Sequence, residues 1–165
     1  MAHQAQHDLL VQRTHDEQSR QECVMSLRRH LAGRIAPHCA DMYTDAIESA
    51  FEKEYGHEPR NRPEMREAMR QSGPYQFFSA IQRTSQELMW DSVIDSVERQ
   101  LPELNETAKQ FADKCGHGGT LTLDPKLEIP NYLTGYDIHL QPGGYHIDYG
   151  NDDVAAGALY DRAIH

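Results

Sequence analysis

Basic charge is scarce in this chain. Sixteen lysines and arginines face 26 aspartates and glutamates, for a net charge of −10 with histidine neutral. No basic cluster exceeds the pair Arg28-Arg29 and the spaced Arg60 and Arg62. A nucleic-acid binder needs a basic footprint to displace counterions, so the composition argues against nucleic acid and against an anionic membrane surface as partners. The ten histidines add a reserve of positive charge only near pH 6, and read mostly as solvated surface residues.

Cysteine is scarce as well. Cys23, Cys39 and Cys115 are odd in number, far apart and without a CxxC pair, which excludes a disulfide framework and a cysteine-built zinc site. Reduced thiols are the cytoplasmic default. Long apolar runs are missing: nothing approaches the roughly 20 residues of a membrane span. The opening MAHQAQHDLLVQRTHDE has neither the basic nor the apolar region of a signal peptide. The expectation is a cytoplasmic protein with no membrane association. Apolar residues make up only 38% and mean hydropathy is −0.76, so the helices must be strongly two-faced or lean on a partner. The 165 residues fit one domain by length, and a chain of this size buries about 70% of its unfolded surface, enough for a core without staples.

Familiar catalytic signatures are also missing. There is no GxSxG elbow. Gly116-His117-Gly118-Gly119 lacks the Lys-Ser/Thr ending and the preceding strand of a phosphate loop, and reads as a joint. His38-Cys39 falls at a predicted helix boundary, and adjacency in sequence does not make a catalytic dyad.

What is present reads as mainly α: a helical bundle over residues 1–115, then an irregular region over 116–165 with short strands and a closing helix, packed as one unit. Cys23, Leu27, Leu31 and Ile35 form a stripe that predicts a helix ending at Pro37, with Thr14 and Glu17 as a capping box at its start. A second helix spans about Asp41 to Tyr55, with Tyr43, Ile47, Ala50 and Phe51 inward and Gly56 as its stop. Pro63 opens a short helix through Gln71. Pro74 opens the longest, with Phe77, Phe78, Ile81, Leu88, Trp90, Val93, Ile94, Val97 and Leu101 as its apolar stripe. Pro102 restarts a helix through about Cys115. Residues 120–123, 136–140 and 145–149 alternate as short strands do. Asn151 or Asp152 caps the closing helix, whose Ala155, Ala156, Gly157 and Ala158 offer a smooth face to a neighbour.

Candidate chemistry concentrates in the irregular region. His146 and Asp148 are two apart, on one face of a strand, and His139 joins them if Pro142-Gly143-Gly144 turns the chain back; two histidines and a carboxylate suit a facial metal site. Chance spacing and backbone bonding near a turn account for the same residues without a metal. Five of the eight tyrosines fall between Tyr132 and Tyr160, where amphipathic rings serve a small-molecule pocket, an interface or the cover of a small core.

The run from Ile138 to Arg162 resembles the segment that precedes the cofactor domain in a group of bacterial class I S-adenosylmethionine-dependent methyltransferases. Pro142-Gly143-Gly144-Tyr145-His146 and the stretch from Asp152 to Arg162, DDVAAGALYDR, carry the resemblance, and Pro130, Tyr132 and Leu133 fit its lead-in. Specific matching covers about a quarter of the chain. The resemblance implies a helical N-terminal substrate-recognition or accessory domain, with S-adenosylmethionine held by a Rossmann-like domain outside these residues. It implies Tyr145, Asp148 and Tyr160 as contacts to substrate or to that domain, and His146 as proton acceptor. The chain departs from the pattern in having no glycine-rich strand–turn–helix for the donor, and in Ala163 and His165, where a glycine and an aromatic are more usual. Ending on a smooth helix face, it reads as cut within an element. The alternatives are a stand-alone helical binding or assembly protein, with a second copy as partner, and a small metalloprotein using His139, His146 and Asp148.

Overall fold

The computed structural model describes residues 7–116, 120, 122, 124–131, 135 and 153–164. Among them the fold is mainly helical and contains no strand. Thr120 and Thr122, expected in a short strand, are irregular; the alternating runs 136–140 and 145–149 lie outside the described residues. The helices are α1 (His15–His30), α2 (Ala36–Met42), α3 (Glu48–Tyr55), α4 (Arg62–Arg70), α5 (Gly73–Cys115) and α6 (Ala155–Ile164). Two compact units result: Met1–Gln21 with Glu87–His165, and Glu22–Gln86.

In the first unit the entering chain is clamped to α5. Val11 is buried. Gln12 N–H donates to Gln100 Oε1 (2.9 Å), and Gln100 Nε2 donates back to Gln12 O (2.7 Å). A side-chain amide thus satisfies both backbone groups of one residue, as a neighbouring strand would. The capping box forms as expected: Thr14 N–H donates to Glu17 Oε2 (2.7 Å) and Glu17 N–H to Thr14 Oγ1 (3.3 Å). Arg99 Nη2 donates to the same Glu17 oxygen at 2.6 Å. Met89, Trp90, Val93, Val97, Leu101 and Leu104 of α5 are buried, as are Ala155, Ala158, Leu159 and Ala163 of α6. Ser92 and Ser96 are buried beside them, each hydroxyl donating to the carbonyl three residues back (2.8 Å), so neither hydroxyl is left bare. Gln21 Nε2 donates to Ser92 O at 3.1 Å.

In the second unit the helix does not stop at Pro37. The chain continues through a π turn, Leu31–Ile35, into α2, and through another, Tyr43–Ile47, into α3. A proline inside a helix clashes with the carbonyl four residues back. The wider π turn, where Ala36 N–H reaches Leu31 O, comes just before Pro37 and relieves that clash. Gly56 then ends α3 in the left-handed region (φ 76°), as expected. Asn61 Oδ1 accepts from Glu64 N–H (3.0 Å) to cap α4.

Other expectations shift. Pro102 lies inside α5 rather than restarting a helix. Phe77, expected inward, is 71% exposed, and Cys23 is exposed where Val24 is buried. All three cysteines are free thiols. Among the described residues no helix is long and apolar enough to cross a membrane.

Candidate functional site

Of the residues singled out from the sequence, only Tyr160 lies within the described set. Tyr145, His146, Asp148 and His139 do not. Tyr160 sits on α6, half-exposed, its ring 6.5 Å from the buried Trp90 at an interplanar angle of 33°. The ring is therefore close to the core of the first unit and about half open to contact.

The helix that carries Tyr160 is built firmly into that unit. Asp153 Oδ1 accepts from Ala155 N–H at 2.9 Å, and Asn105 Oδ1 of α5 accepts from Val154 N–H at 3.0 Å. These bonds satisfy N–H groups that a helix start leaves orphaned. Burial of Ala155, Ala158, Leu159 and Ala163 then fixes the helix along its length. Arg162 is also buried; burial, together with the charge of Arg13, holds its pKa below the usual arginine range, and Asp161 opposes that shift.

A cleft of about 470 Å³ runs along the outer side of α6, lined by Asp153, Val154, Gly157, Ala158 and Asp161 with His7 and Leu9 from the entering chain. His7 Nε2 lies 3.4 Å from Asp161 Oδ2. An imidazole held against a carboxylate can accept and pass a proton, and the two form an ion pair once His7 is protonated. Gly157, expected to let a neighbour approach closely, faces open space: a Cβ there would meet nothing within 4 Å. No family model, no curated protein and no solved structure matches this chain.

The described residues do not include the element that usually holds S-adenosylmethionine. Its usual cradle is a glycine-rich turn between a strand and a helix, and the described residues contain no strand. Nor do they hold a group of three or more His, Cys, Asp or Glu able to bind a metal.

The second unit carries a different arrangement. A groove of about 280 Å³ has Ala46, Ile47, Ala50, Phe51 and Ala68 as its apolar floor, and Glu54, Tyr55 and Glu67 at its rim. It adjoins the second π turn, a local geometry common at functional sites. Phe51 stacks on Tyr55 (4.3 Å, 27°) and meets His57 edge-on (5.8 Å, 65°). The Glu54 carboxylate, more than desolvation or the more distant Glu67, raises the Tyr55 phenol above its ordinary pKa. Two carboxylates over an apolar floor suit a ligand with a cationic head and a compact apolar body.

Sequence reasoning did not reach His7, Asp161, Glu54 or Glu67. Asp153 precedes α6, which begins at Ala155, and Asp161 lies within it, so no helical spacing in the sequence pairs them. His7 and the groove residues depend on long-range packing and carry no local signal.

Proposed function

We propose that these residues form the N-terminal substrate-recognition or accessory region of a bacterial class I S-adenosylmethionine-dependent methyltransferase, working in the cytoplasm with a donor-binding domain outside the chain. The observation that carries this reading is α6. The resemblance to those enzymes runs through Asp152–Arg162, and the described part of that run is buried helix integral to the first unit. It is thus a structural element of the kind that can transmit position to a following domain, rather than a loose linker. In this reading Tyr145, Asp148 and Tyr160 contact substrate or the donor domain, and His146 accepts a proton. The donor supplies an activated methyl group when bound, and this reading assigns it to the domain outside the chain.

The test uses the native gene product. Donor binding and methyl transfer by that product, both absent from residues 1–165 alone, support the reading, and His146→Ala is expected to lower turnover while donor affinity stays unchanged. Unchanged turnover in His146→Ala removes that residue's role. A gene product that neither binds nor uses the donor contradicts the whole reading.

The acid-rimmed groove favours a second reading, a stand-alone helical binding protein acting as monomer or homo-oligomer. Concentration-dependent self-association of the chain, unaffected by the methyl donor, would favour it over the first.

A further inference from the structure

Three arginines that are scattered in the sequence converge in the second unit. Arg66 and Arg70 stand one turn apart on α4, and Arg83 lies on α5; with Tyr75, Gln76 and Ser79 they line a cleft of about 650 Å³. Gln76, Ser79 and Arg83 recur at the three- and four-residue spacing of one helix face. The corner between the helices is pinned. Ser72 N–H donates to Met69 O (3.0 Å), Tyr75 N–H to Ser72 Oγ (3.4 Å), and Gln76 Nε2 to Arg70 O (2.7 Å). The cleft therefore has two fixed walls.

Its charge stands apart from the rest of the molecule. The chain has 26 acids, and none falls between Glu67 and Glu87, the latter one turn beyond Arg83 on α5. The acid nearest in sequence, Glu67, meets Arg70 Nη1 at 3.5 Å, with both side chains at least half-exposed. Solvent screens such a pair, and a multivalent anion can displace it.

A guanidinium offers a planar fork of donors that matches carboxylate and phosphate oxygens. Three forks exceed what the two oxygens of one carboxylate can accept, whereas a phosphomonoester dianion presents three oxygens and two charges. The volume lies within the range of about 300–1,000 Å³ typical of small-molecule sites, and so leaves room for an organic body beside the anion. Tyr75 and Ser79 furnish a ring and a hydroxyl for that body. We propose that this cleft binds an organic phosphomonoester, with Arg66, Arg70 and Arg83 on the phosphate. The cleft is distinct from the segment that resembles the methyltransferases, and its occupancy does not depend on that resemblance.

The probe is phenyl phosphate, titrated calorimetrically into the 165-residue chain in low-salt chloride buffer, with phenol and inorganic phosphate as comparators. Phenyl phosphate is expected to bind more tightly than inorganic phosphate, and phenol not at all. Arg66→Gln, Arg70→Gln and Arg83→Gln should each weaken it about tenfold or more, as loss of a bidentate charged contact does. Arg34→Gln, the same charge change elsewhere in the unit, should leave affinity within about twofold. If one cleft variant loses helical ellipticity, the other two decide. Absence of phenyl phosphate binding at millimolar concentration overturns the proposal, as does an equal loss in Arg34→Gln. Capture of the chain by vesicles containing phosphatidic acid, without binding of the soluble probe, would assign the arginines to a lipid headgroup and also overturn it.

Discussion

Glu17 concentrates much of the physics of the first unit in one carboxylate. It is buried, closes the capping box with Thr14 and accepts both Arg99 Nη2 (2.6 Å) and Arg99 Nε (3.3 Å). Burial is the largest single influence and raises its pKa, but the Thr14 N–H, the Arg99 guanidinium and the Thr14 hydroxyl together outweigh it, so the carboxyl titrates below the ordinary glutamate value. A depressed folded-state pKa contributes stability that is full above the unfolded pKa and is lost as pH falls through the folded one. Glu17→Ala is expected to cost about 1–3 kcal/mol at neutral pH, measured by urea unfolding, because it strands the Thr14 N–H and the Arg99 charge. Glu17→Gln keeps an acceptor for the cap. It should cost less and should flatten the acid limb of the stability profile below about pH 4.5. An acid limb as steep in Glu17→Gln as in the parent chain would show that Glu17 does not set it.

At the scale of elements, Pro37, Pro102 and Gly157 depart from the usual local rules. Pro37 reads locally as a helix end, yet a preceding π turn carries the chain past it. Pro102 is carried through α5 between Leu101 and Leu104, both buried, where packing outweighs one missing N–H. Gly157 is helical and exposed, with open space where a Cβ would stand. Gly157→Ala is therefore expected to stabilise the first unit by about 0.5–1 kcal/mol, seen as a higher midpoint in thermal unfolding. An unchanged or lower midpoint would mean that Gly157 is held against something α6 does not itself show.

The same elements show how much of the fold the sequence made legible. Gly56, Pro63, Pro74 and the Thr14–Glu17 box act through bonds made within a turn or two, and each stands where its local chemistry places it. Cys23 and Phe77 were expected inward from apolar spacing alone, but burial on α1 includes the polar Glu17 and Gln21, which a count of apolar residues does not register. The candidate sites were less legible. Tyr160 follows from a resemblance and Tyr145, His146 and Asp148 lie outside the described residues, while the arginine cleft joins α4 to α5 across a corner that no linear pattern marks.

At the scale of the whole molecule, charge is divided unevenly. Residues 22–86 hold nine acids and nine lysines or arginines, so the net charge of −10 belongs to residues 1–21 and 87–165. The near-neutral second unit offers an acid-rimmed groove and a basic cleft, whereas the acidic first unit carries α6, on which the proposed methyltransferase reading rests. In the proposed reading Tyr145, Asp148 and Tyr160, all within residues 87–165, meet substrate or the donor domain, and the basic cleft of the second unit is a separate site. The most direct measurement is the intact mass of the native gene product. A mass well above the 18.9 kDa of these residues, in a protein that binds S-adenosylmethionine, is the expected result. A mass of 18.9 kDa, with no donor binding, would contradict it.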